Sequence, residues 1–141
     1  MSLRQLLVSS SLSAMLLVAT AASAAPASHH DGPCALAGYN VTRVAPYRIE
    51  ERVGRGVLRR LAGAQLFIPA QQGLTKELVG ANVTRHLREM RSTTMPGCPL
   101  DLERVSVTVS SATTGYWVQI SAKDREVAKE ILARAQHLVH R

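Results

Sequence analysis

Hydrophobic positions along the chain alternate between a two-residue and a three-to-four-residue period, and the changes of period mark out its elements. From Tyr39 to Leu61, Val41, Val44, Tyr47, Ile49 and Val53 suggest strand; Gly54 and Gly56 then supply a turn, and Val57 to Leu61 a returning strand. Gly63 is expected to separate this hairpin from a short apolar run, Leu66, Phe67 and Ile68. Pro69 closes that run because it has no amide hydrogen for a sheet ladder.

After Gly73 the period lengthens. Val79, Val83, His86, Leu87 and Met90 recur at helical spacing, while Lys76, Glu77, Thr84, Arg85, Arg88 and Arg91 fall mostly on the opposite side. Thr75 is placed to cap this helix, and Glu77 suits the positive end of its dipole. Gly80 and Asn82 weaken it, so packing must hold it.

Residues 92 to 103, with two prolines and a glycine, read as a connecting loop. Two alternating runs follow, Val105, Val107 and Val109, then Tyr116, Val118 and Ile120, around a turn at Ser111 to Gly115. Trp117 points to the other face from Val118. The last segment is an amphipathic helix with Val127, Ile131, Leu132, Ala135, Leu138 and Val139 on its core stripe. Ser121 with Asp124 resembles a capping box, and Glu130 with Arg134 forms an i,i+4 pair. Strands grouped in hairpins imply an α+β fold: a two-layer sandwich with an antiparallel or mixed sheet of four to five strands and two helices on one face, ferredoxin-like or similar.

The amino end departs from this pattern. Residues 1–24 carry Arg4, an apolar middle and small residues with Ala22 and Ala24 in an A-x-A arrangement, the signature of a secretory signal peptide. The stretch is broken by serines and is shorter than a membrane-spanning helix needs, so no transmembrane segment is expected in the processed chain. Cleavage leaves about 117 residues: a flexible arm over 25–38 and a single α+β domain over 39–141. Such a chain is expected in the periplasm or secreted.

Export changes how the charge and the cysteines are read. Lys and Arg outnumber Asp and Glu by 17 to 10. In an exported protein the expected anionic partners are phospholipid headgroups, lipopolysaccharide or cell-wall polymer rather than nucleic acid. Arg48, Arg52, Arg55, Arg59 and Arg60 cluster on the first hairpin and form the candidate anion-binding surface; arginines on an edge strand also serve to block edge pairing. Two cysteines, Cys34 and Cys98, in an oxidising compartment predict one disulfide. Closing a loop of about 64 residues stabilises by about 4 kcal/mol in the chain-entropy model.

Chemistry-bearing clusters are few. His86 and Met90 stand one helical turn apart, followed by Met95 and Cys98, and imidazole, thioether and thiolate suit Cu(I). A core histidine with a methionine as filler is the competing reading, and a disulfide at Cys98 would remove the thiolate. His29, His30 and Asp31 could begin an amino-terminal metal site, against a solvated tail. Asp101 and Glu103 could be drawn as a carboxylate pair but stand where turn residues usually face solvent. The chain contains no G-x-S-x-G, H-E-x-x-H, P-loop or dinucleotide fingerprint, so no enzyme is expected.

The segments GAQLFIPAQQGLTKE, RHLREM and CPLD resemble a group of small exported bacterial proteins of unassigned activity, which share a GLTxE helix start and a CPLD loop. The resemblance covers roughly Gly54 to the carboxyl end. It implies a shared fold, export and a periplasmic setting, and it transfers no catalytic residue. The expected function is therefore a small envelope binding or interaction module without catalytic activity or cofactor, engaging an envelope component or a protein partner. The alternative is a periplasmic copper-binding protein using His86 and Met90.

Overall fold

The computed structural model describes residues 34–90 and 95–139. The segment expected to be a signal peptide, the pair His29 and His30, and Asp31 lie outside the described residues. In chain order the elements are a 3-10 turn (Ala35–Gly38), β1 (Arg43–Val53), β2 (Gly56–Pro69), α1 (Lys76–Glu89), β3 (Ser106–Ala112), β4 (Gly115–Ser121) and α2 (Arg125–Gln136). The four strands form one fully antiparallel sheet in the order β1-β2-β4-β3. The connectivity is ββαββα, in place of the βαββαβ of a ferredoxin-like chain. Of the arm expected over 25–38, Leu36 in the 3-10 turn is fully buried.

Alternation on the central strands decides what faces the helices. Ala64, Leu66 and Ile68 on β2 and Val118 and Ile120 on β4 are buried, with Val107 and Val109 of β3 packed beside them. Helix α1 adds Val79 and Val83, and α2 adds Ile131 and Ala135. Both helices therefore cover the same face. Thr75 caps α1, its hydroxyl accepting from the Leu78 amide at 3.1 Å.

Two expectations are corrected. Gly63 does not break the strand: β2 runs unbroken from Gly56 to Pro69, with a bulge opposite Tyr47 and Arg48. Gly63 takes φ +151°, and a Cβ there would run into the Ile120 carbonyl, so the glycine permits a close approach of two backbones inside the sheet. The cap of α2 is Asp124 alone: its carboxylate accepts from the amides of Glu126 (2.8 Å) and Val127 (3.0 Å), while Ser121 ends β4.

The sheet's other face carries one row of three side chains in register. Arg43 pairs with Phe67, and Phe67 with Trp117. The two rings lie 4.9 Å apart, and the Arg43 guanidinium sits 5.8 Å from Phe67 and 5.9 Å from Trp117. Among the described residues no helix covers this face.

Candidate functional site

The first hairpin outruns the sheet. β4 pairs with β2 only from Gly63 to Pro69, so about six residues of each strand, Arg48–Val53 and Gly56–Leu61, project as a two-stranded arm of roughly 20 Å. A two-residue turn closes it, with Gly54 at φ +60°, the positive φ that primed hairpin turns require at their first position. The arm's base is pinned by Arg60, whose guanidinium donates to the Lys123 carbonyl at 2.9 Å and to Glu51 at 3.1 Å.

All five arginines expected at an anion-binding surface lie on this arm. Arg59 faces Glu50 across the ladder and pairs with it at 3.0 Å, and Arg60 pairs with Glu51, so the two carboxylates are committed to the two base-proximal arginines of β2. Arg48, Arg52 and Arg55 form no ion pair among the described residues and are exposed. Arg52 and Arg55 thus leave uncompensated charge at the arm's outer end, and Arg48 leaves one more at its base. A recess of about 410 Å³ lined by Pro46, Tyr47, Arg48, Glu50, Arg59 and Gln65 opens at its base.

The tip is apolar as well as basic. Val53, Val57 and Leu58 are 59%, 63% and 57% exposed, standing on either side of the Gly54–Arg55 turn. Sequence periodicity assigned these three to strands but could not show that nothing packs on them, because that depends on where β4 stops. An arm with free guanidinium groups around an exposed aliphatic end can attract an anionic surface at long range and bury its tip at close range.

The other candidate cluster lies between the 3-10 turn, α1 and the loop that follows α1. Cys34 and Cys98 are joined in a disulfide that ties the 3-10 turn to the loop after α1. His86, 6% exposed on the core side of α1, places Nε2 3.5 Å from Cys98 Sγ. Burial pushes its pKa below the ordinary histidine value, opposed by the negative charges of Glu89 and Asp101, so the imidazole is neutral at neutral pH. The donor atoms of Cys34, His86 and Cys98 all lie within 4.8 Å of one another.

The sulfur in contact with His86 is therefore that of Cys98. Met90 occupies the carboxyl cap of α1 and lines a recess with Leu87, Leu100 and residues 101–105, to which His86 does not contribute. Met95 packs at the edge of the core, and its amide donates to the Asp101 carboxylate at 2.7 Å. Asp101 is thereby used to fold the loop. Arg134, expected only as the partner of Glu130, also reaches the Cys98 carbonyl at 3.2 Å and the Asp101 carbonyl at 3.4 Å.

Comparison with protein-family models, with curated proteins and with solved structures finds no match. Among the described residues no helix is long and apolar enough to cross a membrane.

Proposed function

We propose that this protein is a non-catalytic binding module of the cell envelope, and that the β1–β2 arm docks it on an anionic, phosphate-bearing lipid surface. The observation that carries this reading is the joint exposure, on one projecting hairpin, of Arg48, Arg52 and Arg55, which form no ion pair among the described residues, and of aliphatic Val53, Val57 and Leu58. Guanidinium groups match phosphate bidentately, and the aliphatic tip gains by leaving water at the boundary between headgroups and acyl chains. The secretory leader read in residues 1–24 and the excess of basic residues over the whole chain support the same setting. The resemblance to small exported bacterial proteins agrees with it.

Co-sedimentation with vesicles tests this. The processed chain should sediment with vesicles of phosphatidylglycerol and phosphatidylethanolamine, stay in solution with phosphatidylcholine alone, and be released progressively as salt is raised. Replacing Arg48, Arg52 and Arg55 together by Ser should reduce the bound fraction at least tenfold. Equal binding by that variant, or equal binding to neutral vesicles, would remove the arm from the account.

A further inference from the structure

The Cys34–Cys98 staple and His86 form a second cluster, independent of the arm. Its three donor atoms come from three separate pieces of the chain: the residue before the 3-10 turn, the third turn of α1, and the loop beyond it. All three residues are buried, and each offers a ligand type that thiophilic cations prefer.

The geometry is close to that of a coordination site. Around a tetrahedral zinc, with zinc–sulfur near 2.3 Å and zinc–nitrogen near 2.0–2.1 Å, the sulfur–nitrogen edge is about 3.6 Å and the sulfur–sulfur edge about 3.8 Å. Cys98 Sγ and His86 Nε2 already stand 3.5 Å apart. Breaking the sulfur–sulfur bond and letting the sulfurs part to ordinary contact distance supplies the sulfur–sulfur edge, and the third edge, Cys34 Sγ to His86 Nε2, is no longer than 4.8 Å before any adjustment. Arg134, holding the carbonyls of Cys98 and Asp101, and the buried Leu36 and Leu100 keep the two backbone segments near each other when that bond is gone.

We propose that reduction converts this staple into a Cys2His site for one thiophilic d10 cation, Zn(II) or Cu(I), so that the covalent bridge and the metal are alternative ways of joining the same two segments. The conversion balances with a dithiol as reductant. The dithiol gives up two electrons and two protons and becomes a disulfide, and Cys34 and Cys98 become thiols. The cation then displaces both thiol protons to solvent, binding two thiolates and the lone pair of the His86 imidazole. Oxidation reverses the sequence and expels the cation, because a sulfur in a disulfide has no thiolate to offer. Before export, in a reducing cytosol, the metal-joined form is favoured; after export, the disulfide is.

The test uses the processed chain in two redox states. Protein reduced with a phosphine under anaerobic conditions is titrated with Zn(II) against a chromophoric competitor, and separately with Cu(I) against a colorimetric chelator; oxidised protein is treated identically. The reduced protein should take up one equivalent of at least one of these ions, bind it at least 100-fold more tightly than the oxidised protein, and gain thermal stability on binding. His86→Ala should lower the affinity at least tenfold, the loss expected for one ligand of three, with circular dichroism confirming that its oxidised form folds. Absence of uptake of either ion by reduced wild type would overturn the proposal. Equal uptake by the oxidised form, or His86→Ala folding normally and binding as wild type does, would overturn it equally.

Discussion

Arg134 on α2 donates to the carbonyl of Cys98, 36 residues earlier, while its Nε holds Glu130 at 2.8 Å. One side chain thereby ties the last helix to the loop that carries the disulfide, and it also reaches the Asp101 carbonyl. A charged donor serving partly buried carbonyls contributes more than an exposed ion pair does. Arg134→Ala should lower stability by about 1–3 kcal/mol in denaturant titration. Arg134→Lys should recover only part of the loss, because an ammonium cannot span the same set of acceptors. Glu130→Ala, which removes only the half-exposed partner, should change stability by less than about 1 kcal/mol.

Glycine substitutions at two positions should act with opposite sign. Gly63→Ala forces a Cβ toward the Ile120 backbone at a positive φ and should destabilise by about 1–3 kcal/mol or more. Gly80→Ala, in α1 with nothing within 4 Å of the new Cβ, should stabilise by about 0.5–1 kcal/mol. Thermal denaturation of the two variants beside wild type checks both signs.

The buried imidazole of His86 makes a definite prediction for pH. Its folded-state pKa is depressed by burial relative to the unfolded chain, so below the ordinary value of 6.5 the unfolded state takes up a proton that the folded state refuses. The contribution of His86 is fully present above that value and is lost as pH falls from there toward the depressed folded pKa. Unfolding free energy measured from pH 8 down to pH 5 should decline below about 6.5, and His86→Gln should flatten that part of the profile. An unchanged slope in the variant would show that another group is responsible.

What the sequence made legible divides between local and distant determinants. Thr75, the Val79–Val83–His86 stripe and the Val107–Val118 hairpin were readable because cap, helix face and alternation are decided by residues within a few positions of one another. Gly63 is ambiguous in the sequence, because a glycine inside a strand and a glycine between strands look alike until the partner strands on either side are known. The same limit hid the Arg43–Phe67–Trp117 row, which exists only in the register of three strands. For His86 the burial was legible from its place on the stripe, while the sulfur beside it was set by the loop that Asp101 and Arg134 hold in place. The arm's arginines were readable as a cluster. That Arg48 and Arg52 face Leu61 and Val57 rather than carboxylates is set by the register of β1 on β2, and that Val53, Val57 and Leu58 lie bare at the tip follows from β4 ending short of the arm.

A fluorescent reporter at the arm's tip shows whether that tip enters an anionic lipid surface. Leu58→Trp in a Trp117→Phe background gives a single indole at the tip, with Trp117→Phe alone as the blank. On adding phosphatidylglycerol-containing vesicles at low salt, its emission should shift to shorter wavelength and become shielded from an aqueous quencher, with no change on phosphatidylcholine vesicles. Emission and quenching that stay as in buffer while the protein sediments with the vesicles would place the contact elsewhere on the molecule and contradict the account.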